Sequence, residues 1–224
     1  MNVFAEIFSF LERLNANNSK EWMDAHRDEY HRIRDGYIKW LNDLDKRLIQ
    51  VDPDYFPTEG RRAIHRINNN LMFHPDKPVY KSHFGATMDR VKGKSDFYIH
   101  LGHDECFIAG GYYHPSSRIV NAVREAIDYD GEVLRKIVNR KAFRETFGDL
   151  YEEDALKTSP KDYEASHEHI DLLRLKSYAV EHPLSRSEIM SSGFADKVVE
   201  LYRVLMPFRN YLNRAVMHAE ETQG

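Results

Sequence analysis

The side chains best suited to chemistry gather between Arg61 and His114. Residues 61–92 hold Arg61, Arg62, Arg66, Lys77, Lys81, Arg90 and Lys92 against Asp76 and Asp89, a net +5 inside a chain whose formal charge is −4. Guanidinium and ammonium groups make charge-assisted hydrogen bonds to phosphate and carboxylate, so a local reversal of sign is what an anion site needs. The same cations have a second possible use: Asp76 and the acidic stretch after Gly148 could neutralise them inside the fold. Six of the twelve histidines (His65, His74, His83, His100, His103 and His114) fall in the same fifty residues. Imidazole serves as metal ligand, acid or base.

Alternation sharpens the anion reading. Ser82 to Met88, Phe97 to Leu101 and Cys106 to Tyr113 read as strands, with Gly102-His103-Asp104-Glu105 as a tight turn between the last two. In a strand Lys81 and His83 share one face, and Tyr98 and His100 share one face, while Phe97, Ile99 and Leu101 point to a core. If the strands are neighbours, a polar patch forms on one side of the sheet. The expected ligand-binding set is Arg66, Lys77 and Lys81 as cations, with Tyr80, His83, Tyr98 and His100 orienting the ligand. Gly110-Gly111 in the return strand predicts a bulge or the close approach of another backbone or a ligand. A plain solvated face, common in antiparallel sheets, is the alternative.

Metal and nucleophile signals are weak. There is no His-Glu-x-x-His helix, and His103-Asp104-Glu105, although similar to half of an iron facial triad, sits in a hairpin turn. Cys106 opens an apolar strand, the setting of an inert thiol. No nucleophile elbow, phosphate-cradling loop or dinucleotide fingerprint is present. The sequence therefore predicts no metal site and no cofactor, and assigns no reaction and no catalytic residue.

The elements that must position these groups follow from periodicity. Phe4, Ile7, Phe8, Leu11 and Leu14 predict a helix over residues 3–15. A long helix over 19–51, bent near His26 or Gly36, carries Trp22, Tyr30, Ile33, Tyr37, Trp40, Leu41, Leu44 and Leu48. Ala63 to Ile67 could start a strand, and the Pro75 and Pro78 stretch is a loop. After the hairpin come helices from Ser116, from Gly131 and from Lys141, a short helix at Ile170, a strand at Ser177–His182, a polar turn at Ser185–Ser192 and a closing helix from Phe194 interrupted at Pro207. The pattern is α+β, a single domain with a mostly antiparallel sheet and helices at both chain ends.

Bulk properties exclude some classes. A net charge of −4 and a pI near 6.3 argue against a nucleic-acid partner. No apolar run reaches eighteen residues, so no membrane partner is expected. One cysteine and no signal-like start point to the cytoplasm. Oligomeric state stays open.

Ordered blocks also carry a family pattern. Phe10-Leu11-x-x-Leu14-x-x-Asn17-Asn18-x-Lys20-Glu21-Trp22, then His26-Arg27-x-x-Tyr30, resembles the N-terminal signature of the DUF2461 family. Arg66, Ile67, Phe73, Asp76, Lys77, Tyr80 and Lys81 match its Arg-Ile-x-Arg-Asp-x-Arg-Phe-x-x-Asp-Lys-x-Pro-Tyr-Lys block. Phe107-x-x-Gly110-Gly111-Tyr112-Tyr113-x-Pro115, Arg124, Ile127-Asp128, Leu156-Lys157-x-x-Pro160, Asp171 to Lys176 and Pro207 with Asn213 and Ala215 extend it over nearly the whole chain. The resemblance implies a single α+β domain and no known activity. Asn69-Asn70-Leu71-Met72 departs from it, lacking the acid and the second arginine, and Pro78-Val79-Tyr80 stands where Pro-Tyr is usual. A block that bound an anion through both arginines would bind it more weakly here, or bind something else. Two expectations result: a protein binding a small anionic metabolite or nucleotide on a polar sheet face, or an interaction or structural module using the helix over 19–51.

Overall fold

The structure, a computed structural model, describes residues 2–223. Four strands, β1 (His83–Met88), β2 (Asp96–Gly102), β3 (Cys106–Tyr112) and β4 (Tyr178–Pro183), form an antiparallel sheet in the order β1-β2-β3-β4. With α1 (Val3–Ala16), α2 (Lys20–Ala25), α3 (Arg27–Ile49), α4 (Gly60–Ala63), α5 (Ser117–Val138), α6 (Lys141–Phe147), α7 (Ile170–Leu173), α8 (Arg186–Met190) and α9 (Phe194–Gln223), the class is α+β. The chain gathers into two compact units. One takes the residues up to Arg90 with Phe97–Ile108 and Pro183–Glu200, and the other Val91–Asp96, Ala109–His182 and the chain from Leu201.

In the first unit, α1 buries Phe4, Ile7, Phe8, Leu11 and Leu14, and α3 buries Tyr30, Ile33, Tyr37, Leu41, Leu44 and Leu48. Both stripes follow the three-to-four spacing of one helical face. Phe4 meets Trp40 and Phe194 edge-on, each at 5.1 Å, and Trp40 stacks on Phe194 at 5.3 Å. The strands bury Phe84, Ala86, Met88, Phe97, Ile99 and Leu101 on the core side, and Tyr30 and Tyr37 lie against Phe84. The expected long helix over 19–51 is two helices. His26 leaves helical geometry (φ −114°, ψ 15°), and its ring stacks on Trp22 at 4.0 Å. Ala63 to Ile67 starts no strand: Ala63 ends α4, and Ile64 makes only an isolated bridge to Ala86.

The proline-containing stretch is a loop tied at its base. Asn68 bridges Tyr80, the Asn69 N–H donates to Val79 O (3.0 Å) and Lys81 N–H to Ile67 O (2.7 Å). The Asn18 side-chain amide donates to Tyr80 O and accepts from Tyr80 N–H, both at 2.9 Å. The tip exposes Met72 and Phe73.

In the second unit, α5 (Ser117–Val138) is two helical pieces joined across a kink at Asp130 (φ −152°, ψ 54°), so the helix expected from Gly131 follows the kink. The closing helix passes through Pro207 without interruption. An internal proline costs about 3 kcal/mol. Leu205, Phe208 and Leu212 are fully buried around it, and each such side chain contributes about 1.5–3 kcal/mol, which outweighs the local cost. The glycine pair in β3 is filled by protein and not open to a ligand. A Cβ at Gly110 would stand 2.1 Å from Leu205 Cδ2, and Gly111, at φ +114°, has Tyr178 O where its Cβ would be.

Candidate functional site

The face of the β1–β2 pair opposite the core holds the cluster. Pairing sets His83 against Gly102, Gly85 against His100 and Thr87 against Tyr98, so these six share one side. Gly85 has a specific use: a Cβ there would stand 2.5 Å from the Tyr98 hydroxyl, so only glycine lets that ring lie across β1. The His83 and His100 rings are 4.1 Å apart, and His100 stacks on Phe107 of β3 at 4.5 Å and 7°. The Tyr98 hydroxyl lies 3.0 Å from His100 Nδ1. His65, brought in by the Ile64 bridge, stacks on Tyr98 at 5.4 Å and reaches Thr87 Oγ1 with Nε2 at 2.9 Å.

Burial without a carboxylate partner decides the protonation states. Desolvation, reinforced by His100, Lys81 and His65, pushes His83 down to about 3. Desolvation takes His100 down to about 4. Burial, then Glu105, pushes Tyr98 up to about 12. At neutral pH the tyrosine keeps its proton, and its hydroxyl shares a hydrogen bond with His100 Nδ1. These imidazoles are neutral hydrogen-bonding groups and supply no positive charge.

The charge comes from Lys81. It is half-buried, and its pKa is lowered by burial and then by Lys77. None of the seven cations of residues 61–92 is ion-paired among the described residues. The acids after Gly148 are used elsewhere, Asp149 with Arg144 and Asp154 with His114. Arg90 spends Nη1 on Arg62 O (3.1 Å).

The structure thus brings Lys81, His83, Tyr98 and His100 together and keeps Lys77 within electrostatic reach of Lys81. Arg66 is exposed beside Ile67. Tyr80 is only 4% exposed, with its backbone held by Asn18 and its side chain near Arg27 and Lys20, so it anchors the loop from within. Three members were not singled out as ligand groups: His65, Thr87 and Phe107. Alternation carried a signal for Phe107, since Cys106 and Ile108 are the buried neighbours on either side. His65 lies in a coil, where no period applies.

One group elsewhere has metal-ligand composition. Glu132, Glu168 and His169 in the second unit bring ligand-type atoms within 4.8 Å of one another. Arg135 donates to His169 Nδ1 (3.4 Å) and Asp171 (2.7 Å), placing a positive charge there that opposes a bound cation. Among the described residues no helix is long and apolar enough to cross a membrane.

An α+β chain with a neutral imidazole pair on its sheet and an unpaired lysine in the loop just before β1 is a class, not an identity. The family described as "Conserved hypothetical protein (DUF2461)" matches residues 6–211, and the chain belongs to it. No curated protein and no solved structure matches the chain.

Proposed function

We propose that this protein binds a small anionic metabolite on the polar face of the β1–β2 pair. Lys81 is the charged anchor, with Lys77 and Arg66 as peripheral cations. His83, Tyr98 and His100 orient the ligand, and Tyr80 holds the loop that carries Lys81. The observation that carries the reading is Lys81 itself. It is a half-buried ammonium whose strongest charged neighbour is another lysine. Such a group is destabilised in its charged form until an anion joins it. Neutral His100, oriented by its hydrogen bond with Tyr98, adds a directed polar group that discriminates by geometry more than by charge. Net charge, and a buried unpaired Cys106, support a cytoplasmic protein without nucleic-acid partners.

Thermal-shift titration with carboxylates, phosphates and nucleotides is the test. A stabilising anion is expected, and Lys81→Met should weaken it about tenfold or more, the worth of a charge-assisted hydrogen bond. An anion series that leaves the wild type unstabilised, or a Lys81→Met protein that binds with wild-type affinity, would rule the reading out.

A further inference from the structure

In the second unit a groove runs between α5 and α9. One end is a hollow of about 730 Å³ lined in part by Ala126, Tyr211 and Ala215. The other is a hollow of about 370 Å³ lined in part by Ile137, Met206 and Pro207. Val133 and Arg214 border both, so the two are continuous. The α5 side follows helical spacing, with Ala122, Glu125, Tyr129, Val133 and Lys136 in steps of three or four and Arg140 one step beyond the helix end. Ala122 to Ile137 covers about 22 Å at the helical rise, enough to seat several turns of a docked helix. Tyr129 stands on this seam 92% exposed, more than any other large apolar side chain among the described residues. A water-facing aromatic beside an apolar groove marks a contact surface.

The charges along the groove are sorted by sign. Glu125 and Asp130 border the larger hollow, Lys136 and Arg140 the smaller one, and Arg214 stands where they join. Glu125, Asp130, Arg140 and Arg214 are exposed and make no ion pair among the described residues. Lys136 has only a loose contact with Glu132 at 3.6 Å, one turn away. The charged face of α3, the other helix with a claim to outside contact, is different. There Arg32 pairs with Glu6, Lys46 with Asp43 and Arg47 with Asp196, so the chain neutralises that face itself.

A groove acidic at one end and basic at the other is complementary to a helix of the reverse order. The α5 seam turned end for end is such a helix. Tyr129 and Ile137 lie four residues on either side of Val133, Asp130 and Lys136 three, and Glu125 and Arg140 eight and seven. A two-fold axis crossing α5 at Val133 therefore exchanges the members of each pair, which is what an isologous interface requires. We propose that a second copy of this chain docks on this groove, with the two α5 helices antiparallel across that axis. Tyr129 enters the partner's smaller hollow beside Ile137. Glu125 meets the partner's Arg140, and Asp130 meets the partner's Lys136. Each contact occurs twice. The apolar middle supplies affinity, and the charged ends set the register. Only residues of the second unit take part, so the dimer stands or falls independently of anion binding at Lys81.

Sedimentation equilibrium of the full chain at micromolar concentrations tests the idea, with circular dichroism confirming that each variant is folded. The wild type should show twice the 26.4 kDa of one chain. Arg140→Glu sets two carboxylates against each other at both ends of the interface and should weaken association at least about tenfold. Glu125→Arg should do the same from the other side. The two changes in one chain restore opposite charges and should recover the dimer, which separates lost complementarity from damage to the fold. Tyr129→Ser, exposed in the free chain, should also weaken it, while Lys46→Glu on α3 should leave the mass unchanged. A wild type that stays monomeric leaves the groove to another occupant and overturns the proposal. So does a dimer that keeps its affinity in Arg140→Glu and Tyr129→Ser, or a double charge variant that fails to recover what the single ones lose.

Discussion

On the sheet, His83 and His100 lie ring against ring with Phe107 behind them and, among the described residues, no ion pair to a carboxylate. In the other unit, His114 is largely exposed and tied to Asp154 at 3.1 Å. The first pair is held by packing and the third histidine by a charge. The difference teaches that histidine count says little about histidine chemistry. Packed imidazoles lose their protons to desolvation and become directional neutral donors. An imidazole docked on a carboxylate is oriented by that contact.

The largest perturbation of this contrast is Gly85→Val. A branched side chain there must displace the Tyr98 ring, and overpacking of this kind costs about 1–3 kcal/mol. Urea denaturation should show that loss together with a disrupted His100 environment, while His114 signals stay as they were. Retained stability would mean that Tyr98 does not lean on β1.

The pH dependence is the next discriminator. In the unfolded chain His83 and His100 take up protons near 6.5, but in the fold they resist until about 3 and 4. The unfolded state binds more protons across that window, so stability is fully present above about pH 6.5 and drains away as pH falls toward those values. Replacing both by a neutral pair, His83→Asn with His100→Asn, should flatten the stability profile between about pH 6.5 and 4. A slope that persists in the double variant assigns the acid sensitivity to other groups.

Tyr98→Phe is the smallest change. It removes the hydroxyl that meets His100 Nδ1 and should cost about 0.5–1.5 kcal/mol. It should also shift the tautomer balance of His100, visible in the nitrogen shifts of the ring. An unchanged balance would mean that another contact orients His100.

Period-2 alternation made β1, β2 and β3 readable, and with them the shared face of His83, Tyr98 and His100, because a strand's geometry leaves a side chain only two directions. The α1 and α3 stripes were readable for the same kind of reason. Long-range closure was not. Pro207 marked a break that burial of Leu205, Phe208 and Leu212 overrides. Gly110-Gly111 marked a close approach, but nothing local says that the visitors are Leu205 and Tyr178. Asp154 looked like one more exposed acid in an acidic run, and its partners His114 and Ser177 lie 40 and 23 residues away in sequence. Such contacts depend on the assembled fold and leave no periodic trace.

The knot at the base of the 69–79 loop has an evolutionary reading. Asn18, the Asn68–Tyr80 bridge and the Lys81–Ile67 bond fasten both ends before the chain enters β1. Changes of length or composition between those ends are insulated from strand register, so the tip is free to vary while the sheet keeps its pairing. That insulated stretch includes Asn69, Asn70 and Met72, where this sequence departs from the block it resembles. It also marks the place where a reporter or affinity peptide can be inserted at least expense to the fold.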